Sequence, residues 1–81
     1  MNMKAEYLID NWEWVLRDFG SNLRGRRELV GLTQSELADM AGFDRTYISR
    51  LESGKANISL KNLYRLGQPL SINGAYLLPL V

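Results

Sequence analysis

Residues 31–54 read GLTQSELADMAGFDRTYISRLESG, and the reading of this stretch decides the fold. Thr33 is an N-cap type residue, and Glu36 follows it three positions later. At that spacing a hydroxyl and a carboxylate each satisfy a backbone amide that the first helical turn leaves unpaired. A helix therefore starts after Thr33, with Leu37, Ala38 and Ala41 as its narrow apolar stripe and Gly42 supplying the permissive backbone at which it ends. Asp44 already caps the next helix, so the turn between the two is short. This second helix, over residues 45–53, buries Ile48 and Leu51 and stops at Gly54. Its other face carries Arg45, Thr46, Tyr47, Ser49 and Arg50, a row of guanidinium, hydroxyl and phenol donors suited to phosphate oxygens and base edges. Two short helices joined in this way are the unit that lays one helix in the major groove of DNA.

The rest of the chain reads as support for this unit. At 81 residues there is one domain with room for one small core, of the size that needs a staple. There is no cysteine, so neither a disulfide nor a thiolate metal site provides it, and self-association becomes the expected substitute. No apolar run approaches the ~20 residues needed to span a bilayer, and the N-terminus lacks the basic-then-apolar layout of a secretory signal. The expected location is the cytoplasm. The net charge of +1 hides an asymmetry. Residues 1–22 hold two basic side chains against four acidic ones, whereas residues 23–81 hold eight basic against five acidic. The basic surplus coincides with the two-helix unit, and attraction to phosphate is local because salt screens it within about 8–10 Å.

Before the unit, Leu8, Trp12, Val15, Leu16 and Phe19 fall at helical spacing among Glu6, Asp10, Glu13 and Arg17, which predicts an amphipathic helical extension over residues 1–17. Gly20, Ser21 and Asn22 weaken that pattern, so a break is expected near Arg17 or Asp18, with residues 18–81 forming the domain proper. The extension either packs on the domain to enlarge its core or offers Trp12 or Trp14 to a partner or a second copy. After the unit comes a polar loop over residues 55–59, and Ser59 then caps a helix carrying Leu60, Leu63 and Leu66 that ends at Pro69. Its N-terminus, with Asn57, Ser59 and Lys61 nearby, is suited to hold a phosphate. Residues 72–78 either begin a helix capped at Asn73 or turn as an Asn73-Gly74 hairpin.

The segments GLTQSELA, AGFDRTYISRLESGK and SLKNLYRL together resemble the lambda-repressor and Cro-like (XRE) helix-turn-helix family, over residues 19–78. The resemblance implies an all-α fold of five helices, with Phe19, Leu23 and Leu29 as anchors of the first, and it favours a helix for residues 72–78. It implies base contacts from Arg45, Thr46 and Arg50, of which the arginines suit guanine and therefore a G-containing half-site. It leaves Tyr47 and Ser49 to a base or a phosphate. Gln34 matches a family glutamine that touches the DNA backbone and braces the reading helix, and Lys55, Asn57, Ser59 and Lys61 match its phosphate clamp. Arg27 and Glu52 match a partly buried ion pair between the first and third helices, which assigns both to folding. Arg24 and Arg26 read as solvated. One reading helix covers too few base pairs to discriminate a site within a genome, so a homodimer on a pseudo-palindromic double-stranded operator is expected. Its interface is assigned to Tyr76, Leu77, Leu78, Leu80 and Val81 at the apolar chain end.

No histidine and no cysteine means no common general base, metal ligand or thiol nucleophile, and Gly20, Gly25 and Gly31 lack the spacing of a nucleotide-binding loop. The expectation is a binding protein with no catalytic residues, no metal and no cofactor. Within the family, the small size and the 41–63 stretch are most similar to controller proteins of restriction-modification systems. A phage Cro-like repressor is the nearest alternative. An antitoxin, holding a toxin protein through its apolar C-terminus and Trp12 or Trp14, is the reading from another class. An activator would also meet RNA polymerase, for which Glu36 and Asp39 are candidates, although capping and solvation already account for both.

Overall fold

Helix-forming pattern and turn chemistry agree along most of the chain, and the computed structural model, which describes residues 12–79, is built of four α-helices and a closing 3₁₀ turn. Helix α1 spans Glu13–Leu29, α2 Gln34–Ala41, α3 Arg45–Glu52 and α4 Leu60–Gly67, and the 3₁₀ turn spans Gly74–Leu77. No strand is present among the described residues. The core draws Phe19 and Leu23 from α1, Leu37, Ala38 and Ala41 from α2, Ile48 and Leu51 from α3, and Leu63 and Leu66 from α4. Leu70 and Leu77 complete it from the closing segment. Each fully buried leucine contributes about 1.5–3 kcal/mol by leaving water, so these few anchors hold the domain.

The two-helix unit forms as its residues dictate. Thr33 Oγ1 accepts from the Glu36 amide at 3.0 Å, and Glu36 Oε1 accepts from the Thr33 amide at 2.9 Å, which completes the capping box. Gly42 takes the left-handed conformation at φ 76°, and the Phe43 amide closes back on the Ala38 carbonyl at 2.8 Å. Asp44 then occupies the N-cap position of α3 with extended backbone but without a side-chain cap hydrogen bond. Helix α3 packs on both α1 and α2, which leaves its remaining face to solvent.

Four expectations are corrected. Helix α1 runs through Arg17 and Asp18 without a break. The reason lies at Gly20: a Cβ there would stand 2.5 Å from the Leu51 carbonyl oxygen and 2.6 Å from that of Glu52. The residue that weakens the helix in isolation is the one that lets the end of α3 lie against it. Leu29 is 75% exposed and anchors nothing, whereas Phe19 and Leu23 are buried as expected. The fifth helix is a single 3₁₀ turn among the described residues; Asn73 caps it, its Oδ1 accepting from the Ala75 amide at 2.9 Å. Pro79 disfavours helical backbone at Leu78, which is extended, so the turn cannot lengthen. Finally, Leu77 is buried and its carbonyl accepts from Asn22 Nδ2 at 3.0 Å. It serves the core of its own chain and is removed from the interface set. Tyr76 and Leu78 remain exposed, and Leu80 and Val81 lie outside the described residues, as do positions 1–11 of the N-terminal extension.

Candidate nucleic-acid interface

The exposed face of α3 brings the expected base-reading residues together. Arg45, Thr46, Ser49 and Arg50 stand at helical positions i, i+1, i+4 and i+5, all exposed, and line one open depression. Arg50 is partly committed within the chain: its Nη2 donates to the Lys55 carbonyl at 2.9 Å, while the Lys55 amide donates to the Arg50 carbonyl at 2.9 Å. A guanidinium carries five N–H donors, so one such bond orients Arg50 and leaves capacity for a guanine edge. Tyr47 faces inward more than expected. It is half-buried, its ring meets Phe43 edge-on at 5.1 Å, and its hydroxyl accepts from Asn62 Nδ2 at 3.3 Å. It therefore ties α3 to α4 while its hydroxyl proton stays available to an acceptor.

The loop over residues 55–59 runs from α3 to α4. Lys55, Asn57, Ser59 and Lys61 are all exposed along it and on the first turn of α4. Ser59 accepts from the Asn62 amide at 3.1 Å, the capping bond that starts α4. The amides of Leu60 and Lys61, ahead of it, have no intrahelical acceptor, and together with Lys61 they form a cationic, donor-rich helix end. Asn57 accepts at Oδ1 from the Trp12 indole N–H at 3.1 Å, a tie across 45 residues that the pattern of the sequence does not reveal.

Behind α3 a nearly buried ion pair fixes its position. Arg27 Nε and Nη2 donate to the two carboxylate oxygens of Glu52 at 2.6 and 2.9 Å, and Arg27 Nη1 donates to the Leu32 carbonyl at 2.8 Å. The hydrogen bonds to Glu52 hold the guanidinium pKa above its ordinary value against the opposing effect of burial, and the charges of Glu52 and Glu28 act in the same direction. Gln34 Nε2 donates to the same carboxylate at 3.1 Å, so the first residue of α2 braces the end of α3. Two arginines carry bonds that sequence reasoning missed. Arg65 Nη2 donates to the Ala41 and Gly42 carbonyls at 2.9 and 3.2 Å, with its guanidinium 4.4 Å from the Phe43 ring centre; it closes the C-terminus of α2. Arg26, expected to be solvated, donates to the Leu70 and Ser71 carbonyls at 2.8 and 3.1 Å and holds the reversal where Ser71 takes φ 56°. Arg24 behaves as expected, pairing on the surface with Glu28 at 3.4 Å.

A short, doubly braced helix presenting arginine and hydroxyl groups, followed by a cationic helix end, defines the class: a helix-turn-helix DNA-binding transcription regulator. The family model for the helix-turn-helix matches residues 23–77, and the chain belongs to that family, in its lambda-repressor-like (XRE) branch. Among its relatives, the control protein C.MunI of a Mycoplasma species is 42% identical over 55 residues, 67% of this chain and 74% of that one. An uncharacterised HTH-type transcriptional regulator, y4dJ of Sinorhizobium fredii, is 41% identical over 54 residues, 67% of this chain and 70% of that protein. The crystal structure of the restriction-modification controller protein C.AhdI from Aeromonas hydrophila superposes with a TM-score of 0.74 at 40% identity, over 76% of this chain and 94% of that one. Among the described residues no helix is long and apolar enough to cross a membrane.

Proposed function

We propose that the protein is a controller of a restriction-modification system, binding a pseudo-palindromic DNA operator as a homodimer. The observation that carries the reading is the exposed α3 face, with Arg45, Thr46, Ser49 and Arg50 around one depression on a helix braced at its far end by Arg27, Glu52 and Gln34. The likeness to C.MunI and C.AhdI supports the restriction-modification setting of this reading. In this reading Arg45, Thr46 and Arg50 read bases, Ser49 and Tyr47 meet a base or a phosphate, and Lys55, Asn57, Ser59 and Lys61 set register on the backbone. Catalysis has no part in it, because the sequence has neither histidine nor cysteine to supply the common general base or nucleophile.

Selection of bound duplexes from a randomised DNA pool at near-physiological salt tests the proposal. Wild type enriches a G-containing inverted repeat, and Arg50→Ala relaxes one position of each half-site at a cost of about 1–3 kcal/mol. Absence of enrichment, or salt-sensitive binding that the substitution leaves unchanged, overturns sequence reading by α3.

A further inference from the structure

The bond between Trp12 and Asn57 connects the residue just ahead of α1 to the loop that follows the reading helix. This loop has no regular secondary structure from Lys55 to Ser59; Ala56 and Ile58 pack on the core, and side-chain ties hold it at two further points. Arg50 and Lys55 pin its start, and Trp12 pins its middle. The chemistry of the second tie is directional. An indole Nε1–H only donates, so the asparagine amide must present its oxygen to it. With Oδ1 committed, the donor end, Nδ2, is left for an acceptor on another side. An unrestrained amide on an exposed loop presents either end, and only the donor end attracts a phosphate oxygen, whereas the carbonyl end repels it. Beside this bond Trp12, Val15, Leu16, Phe19, Ile58 and Pro79 line a small apolar pocket, so the indole sits over packed side chains while remaining 52% exposed.

From this geometry we infer that Trp12 is a positioning residue for DNA binding: its indole N–H fixes the Asn57 amide with Nδ2 set to donate to a phosphate of the DNA backbone. The inference rests on the DNA-binding reading above. It gives the segment ahead of the family domain a role in affinity without direct contact to DNA, and because the contact is to phosphate, the effect is the same on every sequence.

A double-mutant cycle tests it on a mixed-sequence duplex at low salt, a probe that needs no knowledge of the operator. Trp12→Phe keeps the ring and removes the N–H, and weakens binding about threefold to tenfold, the range of one net hydrogen bond. Asn57→Ala weakens it similarly, and Trp12→Phe in the Asn57→Ala background adds almost nothing. The slope of affinity against salt stays that of wild type in all three variants, because no charge is lost. Equal, additive losses overturn the inference, since Trp12 then acts without Asn57. A second measurement needs no variant: in wild type, the Asn57 side-chain amide proton resonances shift on addition of the duplex, and their failure to move overturns the contact. Wild type that binds no duplex at low salt overturns the DNA-binding reading itself, an outcome distinct from an additive cycle in a protein that does bind.

Discussion

Glu52 is the side chain on which the reading helix depends. It accepts from Arg27 twice and from Gln34 once, and its side chain is only 5% exposed against 10% for Arg27. Removing one partner of such a pair strands the other charge away from water, which costs more than the pair itself contributes. Glu52→Ala is expected to lower unfolding free energy by about 3–5 kcal/mol in urea titration, and the double replacement Arg27→Met/Glu52→Leu to recover most of that loss. A single substitution as costly as the double would mean that packing, not charge, is what the pair supplies. Glu36 makes a smaller contribution with a definite pH dependence. Its pKa is lowered by the Thr33 amide and then by the Thr33 hydroxyl, so the folded state holds the charged form more tightly than the unfolded chain does. That stabilisation is present above the unfolded-state pKa and is lost as the pH falls through the lowered one, below about pH 4.5. Glu36→Gln retains the capping geometry and removes this dependence, so its thermal midpoint falls less steeply than that of wild type on the acid side.

At the scale of elements, close approach of backbone to backbone decides more than helix propensity does. Gly20 in α1 faces the Leu51 and Glu52 carbonyls, and a methyl group there has no room because both neighbours are main chain. Alanine is the better helix former by roughly 0.5–1 kcal/mol, yet Gly20→Ala is expected to destabilise by about 1–3 kcal/mol on thermal or urea unfolding as α3 is pushed away from α1. A stabilised variant would show that the helices can separate without loss. Arg65 illustrates the complementary case, in which one guanidinium bonds the last carbonyls of α2 and lies over Phe43, joining α4 to the turn. Neither its bonds nor those of Arg26 leave a signal in the sequence, because their carbonyl partners stand 23 to 45 residues away and carbonyls are common to every residue.

For the whole molecule, one α3 per chain offers little surface for specific recognition, and the homodimer we propose would use the exposed apolar side chains near the chain end. Tyr76 is 78% and Leu78 44% exposed, and on α4 Leu60 and Tyr64, one turn apart, are 73% and 54% exposed. A two-fold operator requires two α3 helices about 34 Å apart, one turn of DNA, and a dimer through this region has to meet that spacing. Wild type is expected to sediment as a dimer at micromolar concentration, and Tyr76→Asp to shift it toward monomer and to weaken operator binding together. A monomeric wild type would remove the symmetric operator from the proposal while leaving the α3 surface intact.

The sequence by itself determined the two-helix unit, because its signals are local: a capping box acts over three residues, a left-handed glycine at one, and the stripe of Ile48 and Leu51 over one turn. It also determined that Arg45, Thr46, Ser49 and Arg50 face outward from α3, whereas Tyr47, read on the same face, is half-buried against Phe43. The partner of Arg27 was legible through family resemblance alone. The tertiary structure decided what depends on distance across the fold. It showed that Gly20 continues α1 instead of breaking it, that Leu77 belongs to the core and not to the surface, that the last helix is one 3₁₀ turn, and that Arg26, Arg65 and Trp12 each bond a distant segment. The physical reason is common to all of these: hydrogen bonds to carbonyls and contacts between backbones depend on where the chain returns, and no spacing along the sequence encodes that return.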